Sequence, residues 1–169
     1  MKKTVLVFGL ISGALGALTM LISVQFITAS DYRKSEIFGY TGIVLAALLV
    51  FFGIRSYREN VAGGRLTFGR GLAVGVLIAL ISSACYVAAW QILYFGVRPD
   101  IGDRMAACMV DRAKSTGASP EKVEAVVQQT ETFKRLWANP FTNAAITFAE
   151  PFPIGLGAAL LSAAILRRK

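Results

Sequence analysis

The chain has 169 residues, of which 55% are hydrophobic and 17% charged, and its mean hydropathy of +0.58 leaves too little polar surface to coat a soluble domain of 18.1 kDa. It carries 18 Lys and Arg against 10 Asp and Glu, two Cys and no His. Without His there is no His-based intramembrane protease, haem-ligating bundle or zinc peptidase, and two isolated Cys exclude Cys-x-x-Cys redox and iron–sulfur chemistry; an enzyme is the least favoured class, and no cofactor or metal is implied.

Four apolar runs, residues 4–29, 37–54, 71–95 and 144–166, organise the chain. A bilayer core about 30 Å thick needs about 20 apolar residues in a helix, and all four runs clear or approach that length. Their apolar interiors contain no Lys, Arg or Asp, whereas a soluble helix of this length shows a charged face at helical period. The expected fold is all-α: one membrane domain over 1–169, a four-helix transmembrane bundle, with an extracytoplasmic amphipathic helical hairpin between the third and fourth spans.

The first run follows Met1-Lys2-Lys3 and is longer than the apolar core of a secretory signal, about 7–15 residues, so it reads as retained; Ala29 and Ser30 are a weak cleavage cue. Gly9, Gly13 and Ala17 recur in it at four-residue spacing, as Gly42 and Ala46 do in the second run. Such stripes let helix backbones approach closely, the main attraction left when lipid is as apolar as the side chains. Arg33 and Lys34 fall in the short connection between these runs.

The connection after the second run holds Arg55, Arg58, Arg65 and Arg70. Gly63-Gly64 predicts a turn, Thr67 a helix cap and Phe68 an interface anchor. It is not a phosphate loop, because Gly-Lys-Ser/Thr is absent and no strand precedes it. The four arginines could hold anionic lipid headgroups, at about 1 kcal/mol each near the surface, although such residues more often only set topology.

In the third run Gly71, Gly75, Ala79 and Ser83 form another stripe, and Tyr86, Trp90 and Tyr94 share a face, with Gln91 beside them. Trp90 and Tyr94 lie near the outer boundary, where an aromatic belt is the default expectation and a ligand-stacking wall the sharper one. Tyr86 is deeper, and its hydroxyl needs a partner, for which Ser23, Gln25 or the fourth span are candidates. Cys85 lies inside the third span and Cys108 in the following segment, and both read as small buried residues rather than a disulfide.

The long connection repeats apolar residues at helical spacing, Ile101, Met105, Cys108 and Met109 in one stretch and Val123, Val126, Val127, Phe133 and Trp137 in the next. Two amphipathic helices follow, over about 100–137, broken at Thr116-Gly117-Ala118 and restarted by Ser119 as cap with Pro120 at the first helical position. Packing on the bundle, lying on the outer leaflet and binding a partner are the three uses of this pair; a cap over the bundle is preferred.

The fourth run carries Glu150-Pro151-Phe152-Pro153, and two readings of it stay open. If the helix starts near Asn143, Glu150 lies about 10 Å into the bilayer and the two prolines free the carbonyls of Thr147 and Ala149, an arrangement suited to a proton or cation site. If the helix starts at Pro151, Glu150 sits at its positive end in the interface, but the remaining 16 residues are short for a crossing. Gly155, Ala159 and Ala163 continue the small-residue pattern.

The basic residues set the orientation. Lys2, Lys3, Arg55, Arg58, Arg65, Arg70, Arg167, Arg168 and Lys169 fall on one side against Glu59 alone, while the acids of the 96–143 connection nearly cancel its bases. The positive-inside rule therefore puts both termini and the 55–70 connection in the cytoplasm. Charges split among span flanks make nucleic acid an unsuitable partner.

Gly53-Ile54-Arg55 ending the second run, then Gly63-Gly64-x-Leu66-Thr67-Phe68-Gly69, then a Gly-rich third run leading to Tyr86-Val87 and Trp90, resemble the bacterial membrane proteins grouped as domain of unknown function family 4199. The four spans, the long connection before the fourth and the basic carboxyl end extend the likeness over essentially the whole chain. The resemblance implies this topology and a bacterial inner membrane, and it carries no catalytic residue. Two functional readings remain: a small non-enzymatic membrane protein acting through lipid or an unidentified membrane or periplasmic partner, and a small transporter or channel, as a homo-oligomer, using Glu150.

Overall fold

The computed structural model describes residues 1–27 and 32–168; the Ala29-Ser30 cleavage cue and Lys169 lie outside them. Helix α1 (Lys2–Gln25) stops at Phe26, whose N–H bonds the Ser23 carbonyl at 3.0 Å, short of the expected end of the first run. Helix α2 (Tyr32–Asn60) instead overruns residues 37–54 at both ends. Arg33 and Lys34 are thus in its first turn rather than in a connecting turn, and Arg55 and Arg58 in its last turns rather than in a loop. An apolar run marks how much of a helix suits lipid, not where the helix ends; Arg55 Nε, 3.0 Å from Glu59 Oε1 one turn on, supports the polar extension.

Helix α3 (Phe68–Gln91) starts at Thr67, whose hydroxyl accepts from the Arg70 N–H at 3.4 Å. It runs on into a π-helical turn over Ile92–Val97, closed by Arg98 N–H on the Leu93 carbonyl at 2.7 Å. The amphipathic pair is α4 (Ile101–Ser115) and α5 (Pro120–Ala138). Gly117, at φ +72°, ends the first, and Pro120 occupies the first position of the second. Ser119 takes the cap position, but its side chain makes no capping bond.

The fourth apolar run contains two helices, α6 (Pro140–Ala149) and α7 (Pro151–Leu166), meeting at Glu150. Neither expected start holds alone: Asn139 caps α6 by accepting from Phe141 N and Thr142 N at 2.9 and 3.2 Å, and Pro151, lacking an N–H, restarts the helix. Four helical stretches, Lys2–Gln25, Arg33–Asn60, Phe68–Val97 and Pro140–Leu166, are long and apolar enough to cross a membrane.

In the bundle α1 packs against α2 and α3, and α7 against α3 and α2, with α2 and α3 touching across the middle. Close approach explains the glycine stripes. A Cβ on Gly9 would sit 2.8 Å from Ile81 Cβ and one on Gly13 2.5 Å from Cys85 Cβ, so these seat α1 on α3. On the other face of α3, a Cβ at Gly71 or Gly75 would meet Ala163 Cβ at 3.3 Å or Ala159 Cβ at 2.7 Å, and one at Gly155 of α7 would meet Ala79 Cβ at 2.9 Å. Two apolar cores result. One, with Val5, Tyr57, Leu66, Val74, Ile78 and Leu166, lies at the end that holds both termini. The other joins Met20 and Val24 of α1 to Trp90 and Leu93 and to Ile101 and Trp137 of the α4–α5 pair. Ile101 and Trp137 of the pair are thereby buried on the bundle, while Val123, Val126 and Val127 of α5 stay half-buried. Cys85 and Cys108 are free thiols.

Candidate functional site

Where α6 gives way to α7, the bundle opens into a cavity of about 350 Å³. Its walls come from Ser23 and Ile27 near the end of α1, Ser35, Glu36 and Tyr40 at the start of α2, Tyr86 of α3, Met105 of α4, Glu150 at the helix junction and Ile154 of α7. The break fixes Glu150 there: as last residue before Pro151 it keeps helical dihedrals, φ −79° and ψ −62°, while the two prolines remove the N–H groups that would have bonded the carbonyls of Thr147 and Ala149. Pro151 is half-buried and Pro153 exposed.

Polar groups on the wall differ in how far they are satisfied. Ser23 Oγ donates to the Ser35 carbonyl at 2.7 Å and lies 2.9 Å from Ser35 Oγ, joining α1 to α2. Glu36 Oε1 is 3.6 Å from Arg112 Nη1, which ties α4 to the mouth of the cavity. Glu150 is exposed to the opening, with neither an ion pair nor a hydrogen bond to a described residue. Tyr86 is half-buried on the same wall. The sequence-derived partners of its hydroxyl, Ser23 and Gln25, are not engaged by it: Ser23 is taken by Ser35, and Gln25 is exposed at the end of α1.

Gln91, singled out beside Tyr86, belongs elsewhere. Its Nε2 donates to the Pro140 carbonyl at 2.9 Å, joining α3 to the start of α6. Trp90 and Tyr94 form no aromatic belt. They are 6% and 8% exposed, in a cluster of protein rings: Trp90 lies 5.5 Å from Trp137, edge to face, and Tyr94 5.9 Å from the same ring. Helical spacing correctly puts these residues on one face; what that face meets is decided by α5, which folds back over it. At the centre is Asn143, fully buried, accepting from Trp90 Nε1 at 2.9 Å and donating from Nδ2 to the Trp137 carbonyl at 3.1 Å. Sequence reasoning used Asn143 only as a helix start. The available signal was its spacing from Thr147, one turn on in an apolar run, whose hydroxyl lies 3.4 Å from Asn143 Oδ1.

At the opposite end of the bundle the Gly63-Gly64-x-Leu66-Thr67 run has a defined shape. Gly63 and Gly64 have φ of +61° and +82°, Leu66 is 2% exposed, and Leu66 and Arg168 exchange both backbone hydrogen bonds, N to O, at 3.0 and 2.9 Å. The loop is thereby stitched to the carboxyl end. The family model described as "Protein of unknown function (DUF4199)" matches residues 7–168. The chain belongs to this family. No curated protein and no solved structure matches it.

For this DUF4199 chain the four candidate headgroup arginines are not equivalent. Arg55 Nε and Arg58 Nη2 both bond Glu59 Oε1 at 3.0 Å, so their charge is partly answered within the protein. Arg65 and Arg70 are exposed beside the loop and remain the better placed of the four for an anionic surface.

Proposed function

We propose that this DUF4199 chain is a multi-pass protein of the bacterial inner membrane, with both termini cytoplasmic, that is not an enzyme and acts by admitting a small ligand or ion to the Glu150 cavity, in the manner of a transporter. Membrane residence is supported by the four long apolar helices and by large apolar side chains on their outer faces, Leu161 at 68% and Ile165 at 71% exposure among them. Orientation is supported by the basic residues gathered at the end with both termini. The α4–α5 pair is then extracytoplasmic. Ile101 and Trp137 anchor it against α1 and α3, which supports its reading as a cap over the reading in which it recruits a partner. Gly9, Gly13, Gly71, Gly75 and Gly155 fill seams inside the chain, and a single chain is taken as the working unit in place of the homo-oligomer.

The observation that carries the reading is Glu150: a carboxylate without a partner among the described residues, at a proline break, on the wall of a cavity it shares with Tyr86. Carboxyl groups at membrane depth are costly to bury, and those that are kept there line ion and substrate paths. Two experiments test it. In a chain with Cys85 and Cys108 replaced by Ser, a single Cys at Arg65 should be protected from an impermeant maleimide added to intact cells and one at Lys122 labelled; the reverse pattern overturns the orientation. In proteoliposomes, cation- or proton-driven flux should be present for the wild-type chain and lost in Glu150→Gln. Equal flux in the two, or none in either, overturns the transport reading.

A further inference from the structure

The cavity's wall says what kind of ligand it takes. Two carboxylates reach it, but the Arg112 guanidinium stands 3.6 Å from Glu36, which leaves the single negative charge of Glu150 to be answered by an occupant. A divalent metal asks for a closed shell of six to eight oxygens or several His, Cys or carboxylate donors, and among the described residues no three such side chains come together. Beside the hydroxyls of Ser23 and Ser35, which bond each other, the wall is aromatic and aliphatic: the rings of Tyr86 and Tyr40, with Ile43, Ile154 and Met105. We infer that the cavity binds a monovalent organic cation with an apolar body, an ammonium-type head beside Glu150 and Tyr86 and the remainder against the isoleucines.

Each part of that wall has a match in such a molecule. One carboxylate neutralises one ammonium; a tyrosine face attracts the same charge through its quadrupole, most effectively where water is scarce; and about 350 Å³ lies within the range of small-molecule sites, about 300–1,000 Å³. Access is from the side. A furrow along the outer face of α2, lined by Arg33, Ile37, Thr41 and Val44, shares Glu36 and Tyr40 with the cavity, and it is the side from which an amphipathic cation resting in the interface would approach. An inorganic cation would gain nothing from the aliphatic wall, and a neutral apolar occupant would leave Glu150 unanswered.

This inference rests on the ligand-binding reading above, and the experiment separates the two. Calorimetric titration of the purified chain in maltoside micelles uses benzyltrimethylammonium as probe and neopentylbenzene, its neutral carbon isostere, as competitor. Saturable binding of the cation is expected, weakened at least tenfold in Glu150→Gln and in Ile43→Trp, which fills the cavity but keeps the charge, and unchanged in Leu161→Trp on the exposed face of α7. Ile43→Trp keeps the test decisive if Glu150→Gln does not fold. If neopentylbenzene displaces the cation at equal concentration, or Glu150→Gln binds like the wild type, the cavity is an apolar site: the cation assignment is overturned and the ligand-binding reading stands. If the folded wild-type chain binds neither compound, both are overturned.

Discussion

The indole N–H of Trp90 donates to Asn143 Oδ1 across 2.9 Å, and neither residue is more than marginally exposed. This bond joins α3 to α6 just outside the Glu150 break, and the same amide donates to the Trp137 carbonyl of α5. Three helices therefore converge on one side chain. Replacing Asn143 by Leu leaves the Trp90 N–H and the Trp137 carbonyl without partners, at about 1–3 kcal/mol for each buried group left unsatisfied. Asn143→Leu should lower the thermal midpoint in detergent by more than Trp90→Phe, which removes the donor and leaves Asn143 within reach of Gln91 and Thr147. An equal loss in the two would mean that ring packing, not the amide, holds this end together.

Gly75 and Gly157 offer a paired test of the α3–α7 seam. A Cβ at Gly75 would lie 2.7 Å from Ala159 Cβ, too close without moving a helix, whereas one at Gly157 meets nothing within 4 Å. Gly75→Ala should therefore destabilise the chain by about 1–3 kcal/mol through overpacking. Gly157→Ala should be neutral or gain up to about 1 kcal/mol from helix propensity. Unfolding midpoints of the two variants check both signs.

The α4–α5 pair is held on its polar side by Lys134 Nζ, 2.7 Å from Asp103 Oδ1. That hydrogen bond raises the lysine's affinity for its proton above the ordinary value near 10.5. A group with a raised folded value contributes its stability fully below the unfolded value and loses it as the pH climbs through the folded one. Lys134→Met should accordingly speed amide exchange in α4 and α5 at neutral pH, with the difference from wild type vanishing once the pH passes the raised value. Asp100 behaves in the opposite sense. Its hydrogen bond from Arg98 lowers its value, so that contribution is present above the ordinary aspartate value and lost as the pH falls through the depressed one. Both pairs are exposed, and the effects will be small.

Hydropathy made the four long apolar helices legible, because nothing but lipid or a core accounts for runs of that length with Glu150 as their one charged residue, and the periodicity of 101–109 and 123–137 made α4 and α5 legible as amphipathic helices. The glycine stripes announced close seams without naming their partners. What stayed hidden depends on contacts distant in the chain. Trp90 and Tyr94 look like interface anchors until Trp137 is placed over them, more than forty positions on. Glu150 could be read as a buried site or an interfacial cap because one dipeptide serves both patterns; the structure makes it a junction between two helices, opening on a cavity whose far wall, Ser35 to Tyr40, comes from the other end of the sequence.

Gly63 and Gly64 provide the last test, because their cost can be isolated from packing. Both have positive φ, +61° and +82°, and a Cβ at either would meet nothing within 4 Å. Any destabilisation on substitution is therefore backbone strain, about 1 kcal/mol for Ala in this region and up to about 3 kcal/mol for a β-branched residue. Gly64→Asn should cost least, Gly64→Ala more and Gly64→Val most, since Asn tolerates the left-handed region. The strain reaches the carboxyl end through Leu66, whose N–H and carbonyl are bonded to Arg168. Amide exchange at Leu66 and Arg168 should quicken in the same order as the substitutions, and exchange that quickens at Leu66 alone would show the bridge to Arg168 to be independent of the turn.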